Sequence, residues 1–465
     1  QLTSSVLVLI TAFFGILMSP RFLCRLLPAL LLLPSLTLAA PPVTTEYSLD
    51  NGLKVLVRED HRSPIVVAQV WYRVGASYEP LGLTGMSHAL EHMMFKGTTK
   101  VPDGEFSRIV SLYGGEDNAF TTDDYTAYYQ VYTADKLALA LELEADRMQN
   151  VVFKPEEVAQ ELRVVMEERR QRTDDNPQAL ALERFHTLAW PTIASRQPTV
   201  GWMRDLEALT LEDLKHWYET WYAPNNATLV VVGDVDPGQV KALAERYFGS
   251  LPARTLPLVR APRELDKPGE RQMTLRLPGK VPALYVGFNV PSRHTAGPGE
   301  AEALHMLAGV LDGGFSARLE TRLVREQRVA AAVSSAYDPF ARGDTLFVVT
   351  AIPAPGKTLD ELQQAVLAEV ENLKTEAVTQ PELQRVYAGL LAEDVFSRDS
   401  VREQASSMGR LESVGSSWRL LEEWPQALRA ITPEAVQQAA VHWLVPAQRA
   451  LLRLETADLK TEALQ

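Results

Sequence analysis

Two histidines and a glutamate on one short stretch could act together on a metal ion. In TGMSHALEHMMFKGT, which begins at Thr84, His88, Glu91 and His92 form the string H-x-x-E-H. At a helical step of about 100° per residue with His88 at 0°, Glu91 falls at about 300° and His92 at about 40°. Ala89, Leu90, Met93 and Met94 fall between about 100° and 240°, so they would pack inward while the polar three share the opposite face. Two imidazoles one turn apart can chelate one Zn²⁺, and the carboxylate beside them can reach a water on that ion. The stretch predicts a helix that starts at Thr84, a good N-cap, and stops at Gly97, a good C′ residue. The bland alternative is a solvated polar stripe. With eight histidines in the chain, chance would produce such a string in roughly one chain of this composition in a hundred.

A third ligand has to come from another element, as a carboxylate or an imidazole. Lys154-Pro155 opens a second helix with proline in its first position, continuing through EEVAQELRVVMEERRQR. With Glu157 at 0°, Glu161 lies at about 40° and Glu168 at about 20°, between Val164 near about 340° and Val165 near about 80°; Glu167 points away near about 280°. Taken singly, a helical glutamate is most simply solvated. The angular position favours Glu168 over Glu167 as partner of the histidine pair, with Glu161 as a carboxylate that orients a ligand.

The chain around these residues has 465 residues, 46% of them hydrophobic, and a formal net charge of −13. That length and composition suit two or three globular domains and exclude wholesale disorder, collagen-like repeats and a multi-span membrane protein. The acidic balance disfavours nucleic acid, whose phosphates need clustered Lys and Arg. From Met18 the text MSPRFLCRLLPALLLLPSLTLAAPPV reads as a secretory signal: Arg21 and Arg25 lead, Leu26 to Leu36 are apolar, and Thr37-Leu38-Ala39 precedes a cut before Ala40. Export is therefore expected, to the periplasm in a Gram-negative cell, with Gln1 to Leu17 as an upstream extension and an uncleaved anchor as the alternative. The single cysteine, Cys24, would leave with that segment. Any metal of the mature chain must then be held by histidines and carboxylates.

The remainder repeats itself. T-L-E-D-L from Thr210, Trp221-Tyr222-Ala223-Pro224 and ATLVVVGD are followed, at one constant interval, by T-P-E-A-V from Thr432, Trp443-Leu444-Val445-Pro446 and RALLRLE. In each copy a threonine caps a helix that leads through W-x-x-P into an apolar strand. Duplication of a domain is the reading: residues 1–39 as extension and signal, 43–252 as a first domain with H-x-x-E-H, 253–271 as a linker and 272–461 as a second domain without it. Strand-like runs such as LKVLVRED, IVVAQVWYRVG, ALYVGFNV and TLFVVTAI alternate with helices such as Ala134 to Asn150. The expected class is α+β, two homologous α/β sandwich domains, each with helices on one face of a largely antiparallel sheet.

H-x-x-E-H is the inverse of the usual zinc-protease order. Together with E-L-R-V-V-M-E-E, YRVGASYEP, NAFTTDDYTAYY and W-Y-A-P-N-N-A-T-L-V-V-V-G-D, it resembles the pitrilysin, or insulinase, metallopeptidases over essentially the whole mature chain. The resemblance implies one zinc held by His88, His92 and Glu168, with Glu91 as general base of peptide hydrolysis. It also implies that Gly115 to Tyr125 contains an edge strand where Asn118, Ala119 and Phe120 pair with the substrate backbone by β-addition. Extended peptides or unfolded segments are then the substrates; a non-catalytic assembly or processing subunit is the other class in view.

The second half departs from the family pattern. It has no second H-x-x-E-H, and His294 and His305 are isolated, as surface or packing residues would be. Where relatives carry an Arg and a Tyr seven positions apart, this chain has Arg325 and Ala332. The departure implies a dimer, preferably with a related subunit that lacks H-x-x-E-H and supplies the missing pair.

Overall fold

The computed structural model describes residues 43–102 and 104–457. The expected signal segment lies outside them, as do the last positions assigned to the second domain. Strand formers dominate the first sheet: β1 (Thr44–Ser48), β2 (Lys54–Glu59), β3 (Ile65–Tyr72), then, after helices α1 (Met86–Met93) and α2 (Glu105–Leu112), β4 (Glu116–Thr121) and β5 (Thr126–Thr133). Helices α3 (Leu137–Gln149), α4 (Pro155–Arg169), α5 (Pro177–Ala189), α6 (Met203–Ala208) and α7 (Leu211–Trp221) lead to β6 (Ala227–Gly233) and α8 (Pro237–Phe248). The second half runs β7 (Arg271–Pro278), β8 (Ala283–Val290), α9 (Glu300–Leu311), β9 (Ala330–Tyr337), β10 (Thr345–Pro353), α10 (Leu359–Thr375), α11 (Gln380–Ser397), α12 (Val401–Ser413), α13 (Leu420–Arg429), α14 (Pro433–Trp443) and β11 (Arg449–Ala457).

The two sheets have one plan. The first is ordered β1-β2-β6-β3-β5-β4 and the second β7-β11-β8-β10-β9. Each is antiparallel except for one pair, β2 with β6 and β7 with β11. Removing β1 makes the orders superimpose, and the repeated motif falls on matching elements. Thr210 and Thr432 each cap a helix through the side-chain oxygen; α7 and α14 then pass through short turns at Pro224–Asn226 and Pro446–Gln448 into β6 and β11. Between α8 and β7, residues 252–270 carry no helix or strand.

Helices on one face describe only what each half provides for itself. Alternation along the central strands shows that both faces are covered. Val66, Ala68, Val70, Leu229 and Val231 face the core of the first half, whereas Val67, Trp71, Val230 and Val232 belong to a separate cluster with Ala405 and Met408 of α12. Reciprocally, Leu284, Val286 and Phe288 face their own helices, and Ala283 and Tyr285 pack on Ala181 and Phe185 of α5. Each half thus lends one helix to the outer face of the other's sheet. Both contacts bring an aromatic ring against a glycine: a Cβ on Gly409 would lie 2.2 Å from the Trp71 indole, and one on Gly287 would lie 2.6 Å from the Phe185 ring.

Candidate active site

Helix α1 carries the histidine pair, and the sequence placed its N-cap one residue too early. The helix runs Met86–Met93 with Gly85 as N-cap at φ 89°, a left-handed conformation that favours glycine. Thr84 does not cap it: its hydroxyl donates to Asp205 Oδ2 at 2.7 Å. The free amides at the helix start are met by Glu79, whose Oε2 and Oε1 accept from the N–H groups of Gly85 and Ser87 at 2.7 and 2.6 Å. The helix also ends before Gly97, with Met94 as its C-cap. Met86, Ala89, Leu90 and Met93 are buried, which leaves His88, Glu91 and His92 on the other face.

Helix α4 delivers the acidic partners. It stops at Arg169 and widens into a π turn, Arg170–Asp174, rather than continuing as α-helix through Arg172. Buried Arg169 pins this junction by donating to Glu183 Oε2 at 2.8 Å and to the Gly201 carbonyl at 2.9 Å. Glu168 Oε2 then lies 3.7 Å from His88 Nε2 and 3.5 Å from His92 Nε2. Glu167, as expected, points elsewhere, toward Arg170.

One ligand atom from each of His88, His92 and Glu168 lies within 4.8 Å of the other two. Ligands about 2.1 Å from a tetrahedral ion stand about 3.4 Å apart. The two glutamate distances are therefore long for hydrogen bonds and suited to flanking one metal ion. His92 Nδ1 lies 3.2 Å from Glu161 Oε2, while Glu161 Oε1 pairs with Lys96 Nζ at 2.7 Å. A proton held on Nδ1 by that carboxylate leaves the Nε2 lone pair free for a cation. Arg172 Nη1 holds the other glutamate oxygen, Glu168 Oε1, at 2.5 Å.

Electrostatics distinguish the two imidazoles. Burial, with help from the charges of His92 and Arg172, pushes His88 down to about 3, so it is neutral and available as a ligand. Burial also works against charge on His92, but the Glu161 hydrogen bond and nearby carboxylates outweigh it and raise its affinity for a proton. Glu91 is held above the usual carboxylate range by burial, opposed by a hydrogen bond from Thr121 Oγ1 to its Oε2.

Thr121 ends β4, which lies at the edge of the first sheet. On this strand Asn118 is exposed, and its Oδ1 accepts from the Ala119 N–H at 2.8 Å. Phe120 turns its ring onto Trp71, with centroids 5.4 Å apart, so its side chain is already engaged. The sequence reading missed Thr121, Lys96, Arg169 and Arg172 as parts of this site. The Arg172 contact is an i, i+4 pair with Glu168 and could have been found by spacing; the others depend on tertiary packing.

In the second half, His294 Nε2 meets Ser416 Oγ at 3.1 Å, and His305 accepts from Trp424 Nε1 at 3.3 Å. Arg325 donates to the Phe315 carbonyl at 2.7 Å and the Thr321 hydroxyl at 2.6 Å.

Two matched α/β halves, with an inverted H-x-x-E-H in one of them, define a metallopeptidase-type chain of the M16 class. Residues 54–201 match the model described as insulinase, peptidase family M16. Residues 208–390 match the one described as the peptidase M16 inactive domain. The chain belongs to peptidase family M16. It is 31% identical over 369 residues to the zinc protease PqqE of Helicobacter pylori, covering 78% of this chain and 82% of that protein. A crystal structure of a protease from Helicobacter pylori matches with a TM-score of 0.83 at 28% identity, covering 89% of this chain and 100% of the other. The periplasmic protease PqqL of Escherichia coli shares the fold with a TM-score of 0.75 at 19% identity, over 91% of this chain and 49% of its own.

Proposed function

We propose that this chain is a zinc-dependent endopeptidase that hydrolyses peptides or unfolded polypeptide segments. The observation that carries the reading is the His88, His92 and Glu168 triangle, with Glu91 on the same helical face. Zinc in that triangle would supply Lewis acidity toward a water and the scissile carbonyl. Glu91 accepts the proton of the attacking water and returns it to the leaving amine. Thr121 fixes the Glu91 carboxylate through Oε2, and Glu161 fixes the His92 ring through Nδ1. An extended substrate pairs with the open edge of β4 along Asn118, Ala119 and Phe120, which selects unfolded backbone more than particular side chains.

The region described as inactive covers none of the four proposed metal and catalytic residues, all of which fall within 54–201. Arg325 is engaged within its own half, which supports the idea that the second half does not supply an Arg and Tyr grip. The functional unit is accordingly a dimer, preferably with a related subunit that lacks H-x-x-E-H. The chain is exported and, in a Gram-negative cell, acts in the periplasm; among the described residues no helix is long and apolar enough to cross a membrane.

Glu91→Gln tests the mechanism. The substituted chain keeps about one zinc while peptide cleavage falls by about 10²- to 10⁴-fold. Unchanged cleavage, with contaminating peptidases removed, refutes Glu91 as the base; absence of cleavage by the unsubstituted zinc-loaded chain would instead favour the non-catalytic subunit.

A further inference from the structure

On a chain of net charge −13, four arginines line a single pocket of about 650 Å³ between α5 and the 194–204 segment: Arg169, Arg184, Arg196 and Arg204. Asp174 is the one carboxylate among its lining residues, and Arg169 Nη2 already pairs with it at 3.1 Å. Neighbouring acids do not complete the neutralisation. Glu183 is bound at both oxygens by Arg169, at 2.8 and 3.2 Å, and is only 3.7 Å from Arg184. Asp205 holds the Thr84 hydroxyl and stands 3.7 Å from Arg204. Arg196 donates to the Pro191 carbonyl at 3.0 Å, and among the described residues no carboxylate lies within ion-pair distance of it.

Trp202 adjoins two of the cations, with the Arg169 and Arg184 guanidinium carbons each 5.6 Å from its ring. Leu81, 84% exposed, adds an apolar rim. Guanidinium forks beside an aromatic floor suit a planar carboxylate carried on a chain with apolar neighbours.

We propose that this pocket binds a carboxylate of the substrate peptide, either an acidic side chain or a free C-terminus. That the ligand is a substrate rests on the peptidase reading; that it is a carboxylated peptide rests on the pocket. Arg169 directly follows Glu168 in α4, so one helix contributes both to the pocket and to the metal cluster. Arg184 and Arg196 are the anchoring cations.

Calorimetry on the full chain carrying Glu91→Gln tests this with three decapeptides: one with a central Glu and an amidated end, its Gln counterpart, and the Gln peptide with a free C-terminal carboxylate. The first or the third binds about tenfold more tightly than the neutral peptide, and which of them does so identifies the source of the carboxylate. Adding Arg184→Gln and Arg196→Gln abolishes that preference and leaves neutral-peptide affinity unchanged. If the doubly changed chain loses the neutral peptide as well, Arg196→Gln alone decides, because among the described residues that side chain hydrogen-bonds to the Pro191 carbonyl alone. Equal affinity for all three peptides, or a preference that survives the arginine changes, overturns the proposal. Mass spectrometry of the same peptides incubated with the chain that retains Glu91 reports cleavage, so failure of the peptidase reading registers separately.

Discussion

Thr121 Oγ1 donates a hydrogen bond to Glu91 Oε2, and through this contact the exposed edge strand β4 is joined to the proposed base. Thr121→Val preserves shape but removes the donor. We expect kcat to fall by about tenfold with little change in KM, because the lost bond orients a carboxylate rather than binding substrate. Steady-state kinetics on one fluorogenic peptide checks this; an unchanged kcat removes Thr121 from the mechanism.

Glu161 contacts His92 Nδ1 and Lys96 but is not itself one of the three proposed ligands. Glu161→Gln should weaken zinc binding by about 10- to 100-fold, as loss of a carboxylate behind a ligand imidazole does. Competition against a chromophoric chelator measures it directly, and wild-type affinity would show that His92 needs no such support.

His305 carries a pH dependence of stability. Burial against Trp424 holds its imidazole down at about 4, with Asp338 opposing only in part, whereas an unfolded histidine protonates near about 6.5. Between those values the unfolded chain binds more protons, so this contribution is complete above about 6.5 and is lost as the pH falls toward about 4. His305→Phe keeps a stacked ring and removes the titration. The drop in Tm from pH 7 to pH 5 should be smaller for that variant than for the parent; equal drops would exclude His305 as a source.

The exchanged helix α12 is sensitive to a single methyl group. Gly409→Ala places a Cβ in the space of the Trp71 indole, inside a closed cluster. Overpacking of this kind costs about 1–3 kcal/mol, more than the helix gains from alanine. Denaturant unfolding should show the loss, and a neutral result would mean that Trp71 can move aside.

What the sequence could disclose depended on whether the cause was local. The shared face of His88, Glu91 and His92 follows from helical period alone, and Glu168 was favoured over Glu167 by the same reckoning. The start of α1 was misjudged because its cap comes from Glu79 in a preceding turn, a contact that no N-cap pattern at Thr84 could reveal. Burial of both faces of the central strands could have been read from runs such as ATLVVVG, which hardly alternate, yet helices were expected on one face. Which helix covered the second face was not, since α5 and α12 are ordinary amphipathic segments far away in the chain. The link from Thr121 to Glu91 had no local signal either.

The reciprocal loan of α5 and α12 has a consequence for how the polypeptide can be divided. Residues 252–270 join the halves covalently, but each sheet is capped by material from the far side of that connection. A cut there should yield two fragments that remain mutually complementing, co-purify and unfold as one cooperative species. Either fragment made alone would expose the aromatic and aliphatic outer face of its sheet to water. Neither duplicated copy is any longer a self-sufficient folding unit.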